Sequence, residues 1–578
     1  MPHTRCNGTV PALTVRISLF IDPHASSPWV FARLGNPNLE RALHMESGSD
    51  HTLRRVRKTT MSDVFDKCRT WKDYRIAKAT GLYPYFRAIE ASHGSTEVEI
   101  EGRRVIMVGS NNYLGLAADP RVKEAAIKAT EKFGTTCSGS RLLNGTLALH
   151  EELEARLAKF LNREAAIVIS TGFQTNLALA SILGRHDIVF SDRANHASLV
   201  DGVRLSFATE RKFRHNDMEH LEQLLAAAEP GAGKIIVTDG VFSMEGDVCN
   251  LPRIVELSKQ YNARVMTDDA HAMGVLGELG RGTSEYFGLE KDVDLVMGTF
   301  SKSFASLGGV LAGPFEVINY IRHKARSVIF SASMTPASIA AALKSTEIIE
   351  AEPQRRERLL DIAEKMHNGF RAMGFDTGVS VTPVVPVHIG DQVKCFRFWR
   401  ALHEAGVFAN PVIPPAVEAG HALIRTSYMA THTDAQLDQV LDTFEKIGRK
   451  LNVIPETRPT VYEPVKIARP GSAVRSNKAS ETWAAGSAGL LADKGFSLEQ
   501  LSRMSSREMA GKFFDAVEQL TWRAANLQPE DLRRLGGAPK KLWDKRSELG
   551  GVLLEKGAQL FMRNGSDSSD GGNQAERN

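Results

Sequence analysis

The residue best suited to covalent chemistry is a lysine just beyond an apolar run, with hydroxyls on both sides. It stands in Gly298-Thr299-Phe300-Ser301-Lys302-Ser303, followed by Gly308-Gly309. An ε-amine that forms a Schiff base must sit in a semi-enclosed place, where its pKa falls and its carbonyl partner is held. Thr299 and Ser301 could donate hydrogen bonds to a phosphate close by. Taken alone, the motif is equally a loop lysine at a sheet edge. Met266-Thr267-Asp268-Asp269-Ala270-His271 ends another apolar run, at the edge where open α/β sheets bind ligands. A carboxylate aimed at a pyridine nitrogen keeps that nitrogen protonated and makes the ring an electron sink. The two acids and the histidine are also candidate metal ligands. No second cluster with ligand spacing accompanies them, so no metal is expected.

Three weaker segments lie upstream. Ser170-Thr171-Gly172-Phe173-Gln174-Thr175-Asn176 reads as a strand-to-helix turn whose backbone N–H groups could reach a phosphate. Asn195-His196-Ala197-Ser198 places an imidazole after a strand, where it could stack on a flat ring, although a lone histidine is more often structural. Asp239-Gly240-Val241-Phe242-Ser243-Met244-Glu245-Gly246-Asp247 offers Ser243 as a hydroxyl donor, or is a turn shaped by Asp and Gly alone.

Short apolar runs must position these residues. Strands are predicted at Ala166–Ser170, Asp187–Ser191, Lys234–Asp239, Arg264–Asp269, Asp294–Gly298 and Gly309–Ala312, with helical patterns at Leu147–Phe160, Asp217–Ala228 and Leu251–Tyr261 between them. Buried strands alternating with helices predict an α/β fold with a mainly parallel sheet covered on both faces. A strand pair is readable from about residue 99. Beyond Pro336 come long helices (Pro336–Glu350, Arg355–Met373), strands near Thr382–Ile389 and more helices to about Leu451, a smaller α+β domain. The expected division is therefore residues 61–110 as an N-terminal segment, 111–335 as the large domain and 336–455 as the small one. Residues 1–60 lack a sustained period and read as a leader, disordered or preceding a true start at Met61, where Ser62 could cap a helix. Residues 456–578 read as a helical extension, with helices at Ser506–Ala525 and Leu542–Phe561 and a polar, disordered tail.

Composition narrows the class. A chain of 578 residues exceeds one hydrophobic core. Its formal charge of +4 makes no case for nucleic acid. Five scattered cysteines, odd in number and without a CxxC pair, argue against a disulfide framework and for a reducing, cytoplasmic setting. No apolar stretch reaches the roughly 18 residues of a membrane span, which leaves only peripheral membrane contact open.

The five segments occur in one chain order, each at the end of a strand. With Ser110-Asn111-Asn112-Tyr113-Leu114-Gly115-Leu116, Ser138-Gly139-Ser140-Arg141 and Leu423-Ile424-Arg425-Thr426-Ser427-Tyr428, this order resembles the α-oxoamine synthases. These are pyridoxal-phosphate enzymes of the aspartate-aminotransferase-like fold type I. The resemblance spans about residues 70–452. Gly81-Leu82-Tyr83-Pro84-Tyr85-Phe86 and the run from Ser303 to Gly309 are similar to soluble bacterial members that condense L-serine with palmitoyl-CoA. It implies a homodimeric acyltransferase of lipid metabolism, releasing CO2 and CoA and making 3-oxosphinganine for sphingolipid synthesis. Other acyl acceptors and donors, such as alanine with a pimeloyl thioester or glycine with acetyl-CoA, are the nearest alternatives, and an aminotransferase is a more distant one.

Residue by residue, the resemblance implies that Lys302 tethers pyridoxal 5'-phosphate and then removes the Cα proton. Asp268 pairs with the pyridinium nitrogen, and His196 stacks on the ring and orients the substrate carboxylate. Ser243 and His271 lie near the ring's phenolic oxygen, and Gly172, Phe173, Thr299 and Ser301 surround the phosphate. Arg425, with Thr426 beside it, anchors the amino-acid carboxylate, and Asn111 reaches a neighbouring subunit's site. Neither terminal extension belongs to the family pattern.

Overall fold

The computed structural model describes residues 63–467, and, as backbone only, a short antiparallel ladder of Ile17–Ser18 with Arg33–Leu34. The leader, the helices expected at 506–525 and 542–561 and the polar tail otherwise lie outside the described residues, as does the Ser62 cap. The helical pattern expected from Met61 is two short helices, Asp66–Thr70 and Asp73–Ala79, interrupted at Trp71-Lys72 and without side-chain caps.

Seven strands build the large sheet: β1 (Ala165–Ile169), β2 (Asp187–Asp192), β3 (Thr209–Phe213), β4 (Gly233–Asp239), β5 (Arg264–Asp268), β6 (Leu295–Thr299) and β7 (Gly309–Gly313). Their order is β1-β7-β6-β5-β4-β2-β3. All neighbours are parallel except the two pairs that involve β7. Parallel strands need crossovers of a dozen or more residues. Only residues 300–308 join β6 to β7, so β7 must return antiparallel, and Lys302 lies in a tight connection at the sheet's C-terminal edge.

Alternation within the strands explains the burial of both faces. Val168, Ile236, Val265 and Val296 point to a core shared with Leu157, Ile254 and Leu257. Their neighbours Ile167, Ile235, Met266 and Leu295 point to the opposite core with Leu179, Leu199 and Ile321.

The smaller sheet is antiparallel, with Ala422–Ser427 between Val384–Gly390 and Asn410–Val412. Helices Gln354–Met373, Gln392–Glu404 and Asp434–Lys450 cover it around Phe370, Phe398, Trp399 and Phe444. Strand Arg103–Met107 pairs in parallel with Val407–Phe408, and its Ile106 joins this second core. Helix Pro336–Ala351 instead puts Ile339, Ala342 and Ile349 into the first core. By packing, the two bodies therefore divide near residues 352–353, and the N-terminal strands belong with the second. After residue 455 the chain returns to helix Gln354–Met373, where Val465 exchanges backbone hydrogen bonds with the Asn368 side chain.

Candidate active site

Five βα or ββ connections meet at the C-terminal edge of the large sheet around one cavity of about 220 Å³. Its wall includes Gly172 and Phe173 after β1, His196 after β2, Asp239 at the end of β4, Asp268 and His271 from β5, and Thr299, Ser301 and Lys302 from β6. Lys302 and Asp268, 34 residues apart in sequence, thus face one space. The ladders fix this convergence, since Asp268 pairs in register with both Asp239 and Met297.

Burial lowers the Lys302 amine to about 8; Asp268 and Asp239 pull it up, while the Arg425 charge pushes it down. Half of such an amine is unprotonated near pH 8, where an exposed lysine would be almost wholly charged. Burial also holds His271 well below its ordinary value, with Lys302, Arg425 and His196 adding to the effect. His271 Nδ1 lies 2.6 Å from the Tyr113 hydroxyl, itself pushed up by burial. Asp268 accepts from the Asn176 amide at 2.7 Å and from the Ala270 N–H at 3.0 Å. Asp239 is buried and accepts from the His196 N–H at 3.1 Å; burial, then the Asp268 charge, pushes its carboxyl well up.

At one end of the cavity Thr171 caps helix Gly172–Leu177 by accepting from the Gln174 N–H. Across from it the Thr299 and Ser301 hydroxyls are 2.9 Å apart. A Cβ on Gly172 would come within 2.6 Å of Thr299 Oγ1. Only a glycine keeps this space open, and Phe173 stands partly exposed at its mouth.

Arg425 comes from the smaller sheet. It is 5% exposed, and its guanidinium donates to the Ser243 carbonyl at 2.5 Å, the Ser427 hydroxyl at 2.7 Å and Asn111 Oδ1 at 3.0 Å. Asn111 and Ser243 thus converge on Arg425 beside the cavity and are not part of its wall. Ser243 meets Arg425 through its backbone carbonyl. Thr426 is not brought to the site: adjacent strand residues face opposite ways, and its fully buried hydroxyl donates to the Val385 carbonyl at 2.8 Å.

The loop that carries Ser243 joins the two bodies. Gly246 O accepts from the Ser380 and Thr382 hydroxyls at 3.0 and 2.9 Å, and Glu245 pairs with His388 at 3.2 Å. On the other side, His215 bridges Asp192 at 3.1 Å and Asp247 at 2.9 Å.

Sequence reasoning gave no role to Tyr113, Asn176, Ser198 or Asp239. All four lie inside segments it singled out, so the signal was present. Tyr113 meets His271 across 158 residues of chain, a contact without local trace.

A family model, aminotransferase class I and II, matches residues 103–444. A serine palmitoyltransferase from Sphingobacterium spiritivorum is 48% identical over 377 residues, covering 65% of this chain and 94% of that protein. An 8-amino-7-oxononanoate synthase from Thermosipho melanesiensis is 45% identical over 392 residues, covering 68% of this chain and all of the relative. A solved structure of SPT with PLP as an internal aldimine superposes with a TM-score of 0.66 at 37% identity, covering 68% of this chain and 100% of that one. With its Lys302, Asp268 and His196 gathered on one sheet edge, the chain belongs to the α-oxoamine synthase family of the class I and II aminotransferase fold.

Proposed function

We propose that this protein condenses L-serine with palmitoyl-CoA to give 3-oxosphinganine, CO2 and CoA, using pyridoxal 5'-phosphate, as the cytoplasmic, homodimeric first enzyme of a sphingolipid route. The observation that carries this reading is the shared cavity of Lys302 and Asp268, in a chain nearly half identical to a serine palmitoyltransferase. Among the described residues no helix is long and apolar enough to cross a membrane.

The residues fit the cofactor. An amine lowered to about 8 is a competent partner for an aldehyde. Asp268 is held as an acceptor by two N–H donors, suited to a pyridinium nitrogen. Gly172, Phe173, Thr299 and Ser301 line one end of the cavity, where the two hydroxyls could donate to a phosphate. When bound, the cofactor supplies the electron sink that makes the amino acid's Cα–H acidic.

The chain's own groups do the rest. Lys302 would hold the cofactor and, once the serine amine has displaced it, its freed amine would take the proton from serine Cα. Arg425, already aligned by Ser243, Ser427 and Asn111, anchors the serine carboxylate by charge-assisted hydrogen bonds. His196, on the cavity wall, would hold the cofactor's flat ring and orient the same carboxylate, so that the bond to be broken would be fixed in direction. His271, favoured as the neutral ring by burial and bonded to Tyr113, would help hold the cofactor on its phenolic side without adding a second cation.

A panel of amino acids and acyl-CoAs, read by cofactor absorbance and product mass spectrometry, tests the reading. Serine with palmitoyl-CoA should give a long-chain 3-oxo amine with CO2 and free CoA. A response to alanine but not serine would transfer the protein to the branch of the 8-amino-7-oxononanoate synthase relative, and a response to glycine alone would favour condensation with acetyl-CoA. A keto acid without CoA release would make it an aminotransferase.

A further inference from the structure

Two buried residues that touch neither the amine nor the carboxylate anchor connect Asp268 to His196. Asn176 is fully buried on helix Gly172–Leu177. Its Nδ2 lies 2.7 Å from Asp268 Oδ2 and 2.8 Å from Ser198 Oγ. Ser198 Oγ in turn lies 2.7 Å from His196 Nδ1, and the Ser198 backbone N–H points at the same nitrogen from 3.3 Å.

Donor arithmetic fixes the direction of every bond. A carboxylate only accepts, so the Asn176 group facing Asp268 must be its NH2. That NH2 has two hydrogens, and the second goes to Ser198 Oγ. The Ser198 hydroxyl, with one hydrogen and two lone pairs, could on its own either donate to His196 Nδ1 or accept from it, and the Ser198 backbone N–H decides between the two. A backbone N–H can only donate, so Nδ1 is an acceptor for two donors and carries no proton. The imidazole is thereby held as the tautomer protonated at Nε2, and burial favours that neutral ring against the opposing Asp268 charge, with the Lys302 charge a smaller contribution on the side of burial.

We propose that Asn176 and Ser198 are positioning residues that use the Asp268 carboxylate to lock His196 as the Nε2–H tautomer, so that its N–H serves as a hydrogen-bond donor to the amino-acid carboxylate. Asn176 Oδ1 is buried without a hydrogen-bond partner. Such a group costs stability, and a side chain that served packing alone would not need it. The backbone is tight here as well, since a Cβ on Gly202 would come within 2.6 Å of the Asn176 carbonyl. The relay therefore rests on an immobile support. One charge serves two ends: Asp268 faces the ring nitrogen and, through two neutral side chains, sets the proton of the group above the ring.

The role toward the carboxylate rests on the proposed function, but the tautomer does not. The test is ¹⁵N NMR of the purified holoenzyme labelled at histidine, with His196→Gln assigning the resonance. The expected result is an unprotonated Nδ1 and a protonated Nε2 before any substrate is added. A protonated Nδ1 would overturn the relay whatever the substrate proves to be.

Ser198→Ala should give a mixture of tautomers and raise the serine KM about tenfold with a smaller change in kcat. Its absorbance and thermal midpoint report whether the fold is intact. Ser198→Thr, which restores the hydroxyl, should recover the single tautomer. Asn176→Ala should broaden the tautomer mixture and also shift the pH dependence of the cofactor absorbance, because Asp268 loses a donor. If Ser198→Ala folds with the wild-type tautomer and an unchanged KM, the proposal fails.

Discussion

Two polar clusters lie on the same edge of the same sheet, and they move their titratable groups in opposite directions. In the cavity, burial brings Lys302 down to about 8 although Asp268 and Asp239 are near. One loop away, His215 is raised to about 10: burial works against its charge, but its hydrogen bonds to the Asp192 and Asp247 carboxylates overcome it. The difference is direct contact. His215 is clasped by two carboxylates at 3.1 and 2.9 Å, whereas the carboxylates near Lys302 act through space. A clasped cation is a fastener, because all of its bonding capacity is used. An amine left buried and loosely paired is reactive, because its uncharged form is accessible near neutral pH. Perturbation alone does not mark a functional group; perturbation toward the uncharged, unclasped state inside a cavity does.

The strongest challenge to this contrast is Lys302→Ala. It should lower turnover by about 10³-fold or more and abolish the bound-cofactor absorbance. The thermal midpoint should hold or rise, since a poorly paired buried amine is removed. A variant that loses stability along with activity would place Lys302 among the fasteners. Arg425→Ala comes next. Removing a buried charge that is bonded at three points, and in the proposed function would meet a substrate carboxylate, costs about 3 kcal/mol. The serine KM should rise ~100-fold while the cofactor stays bound, and unchanged serine affinity would remove Arg425 from the site. Gly172→Ala forces a methyl against Thr299 Oγ1, an overpacking cost of about 2 kcal/mol. Titration of the apoprotein with pyridoxal phosphate should show ~30-fold weaker retention. Equal retention would mean that the anion does not lie over that glycine.

Much of this arrangement was visible in the chain. Strands β1, β2 and β4 to β7 announced themselves as short apolar runs bounded by Gly, Asp or Ser, and residues at or just past the ends of all but the antiparallel β7 formed the cavity wall. Strand β3 was missed because Thr-Glu-Arg-Lys-Phe is charged and buries only Phe213 fully, as suits a protected edge strand, so it shows no apolar run. The reading of Thr426 as a companion of Arg425 followed chain adjacency, whereas a strand turns adjacent side chains to opposite faces. The helix at Pro336 appeared to begin a new domain because the pattern changes there, yet its apolar residues complete the first core. Pattern shows what an element is; which body it joins depends on contacts far along the chain. The clamp was hidden for the same reason: Asp192, His215 and Asp247 are 23 and 32 residues apart and meet only when β2, β3 and β4 lie side by side.

The smallest expected effect tests the fastener half of the contrast. His215 titrates near 6.5 when unpartnered and near 10 in the fold, so the folded protein holds this proton more tightly than the unfolded chain does. Its stabilising contribution is therefore complete below about pH 6.5, declines as pH rises beyond that, and is gone once pH passes through 10. His215→Gln keeps a donor between the carboxylates but no charge. With the side chain 34% exposed, solvent screens the pair, and the loss should be about 1 kcal/mol at pH 6. Denaturant unfolding of wild type and variant from pH 6 to 10 should give two curves that converge at the alkaline end. Turnover should change little, because Gly246 still docks on Ser380 and Thr382 and keeps Ser243 near Arg425. Parallel curves would deny His215 its charge. A collapse of turnover with stability retained would move His215 from the frame of the site into its chemistry.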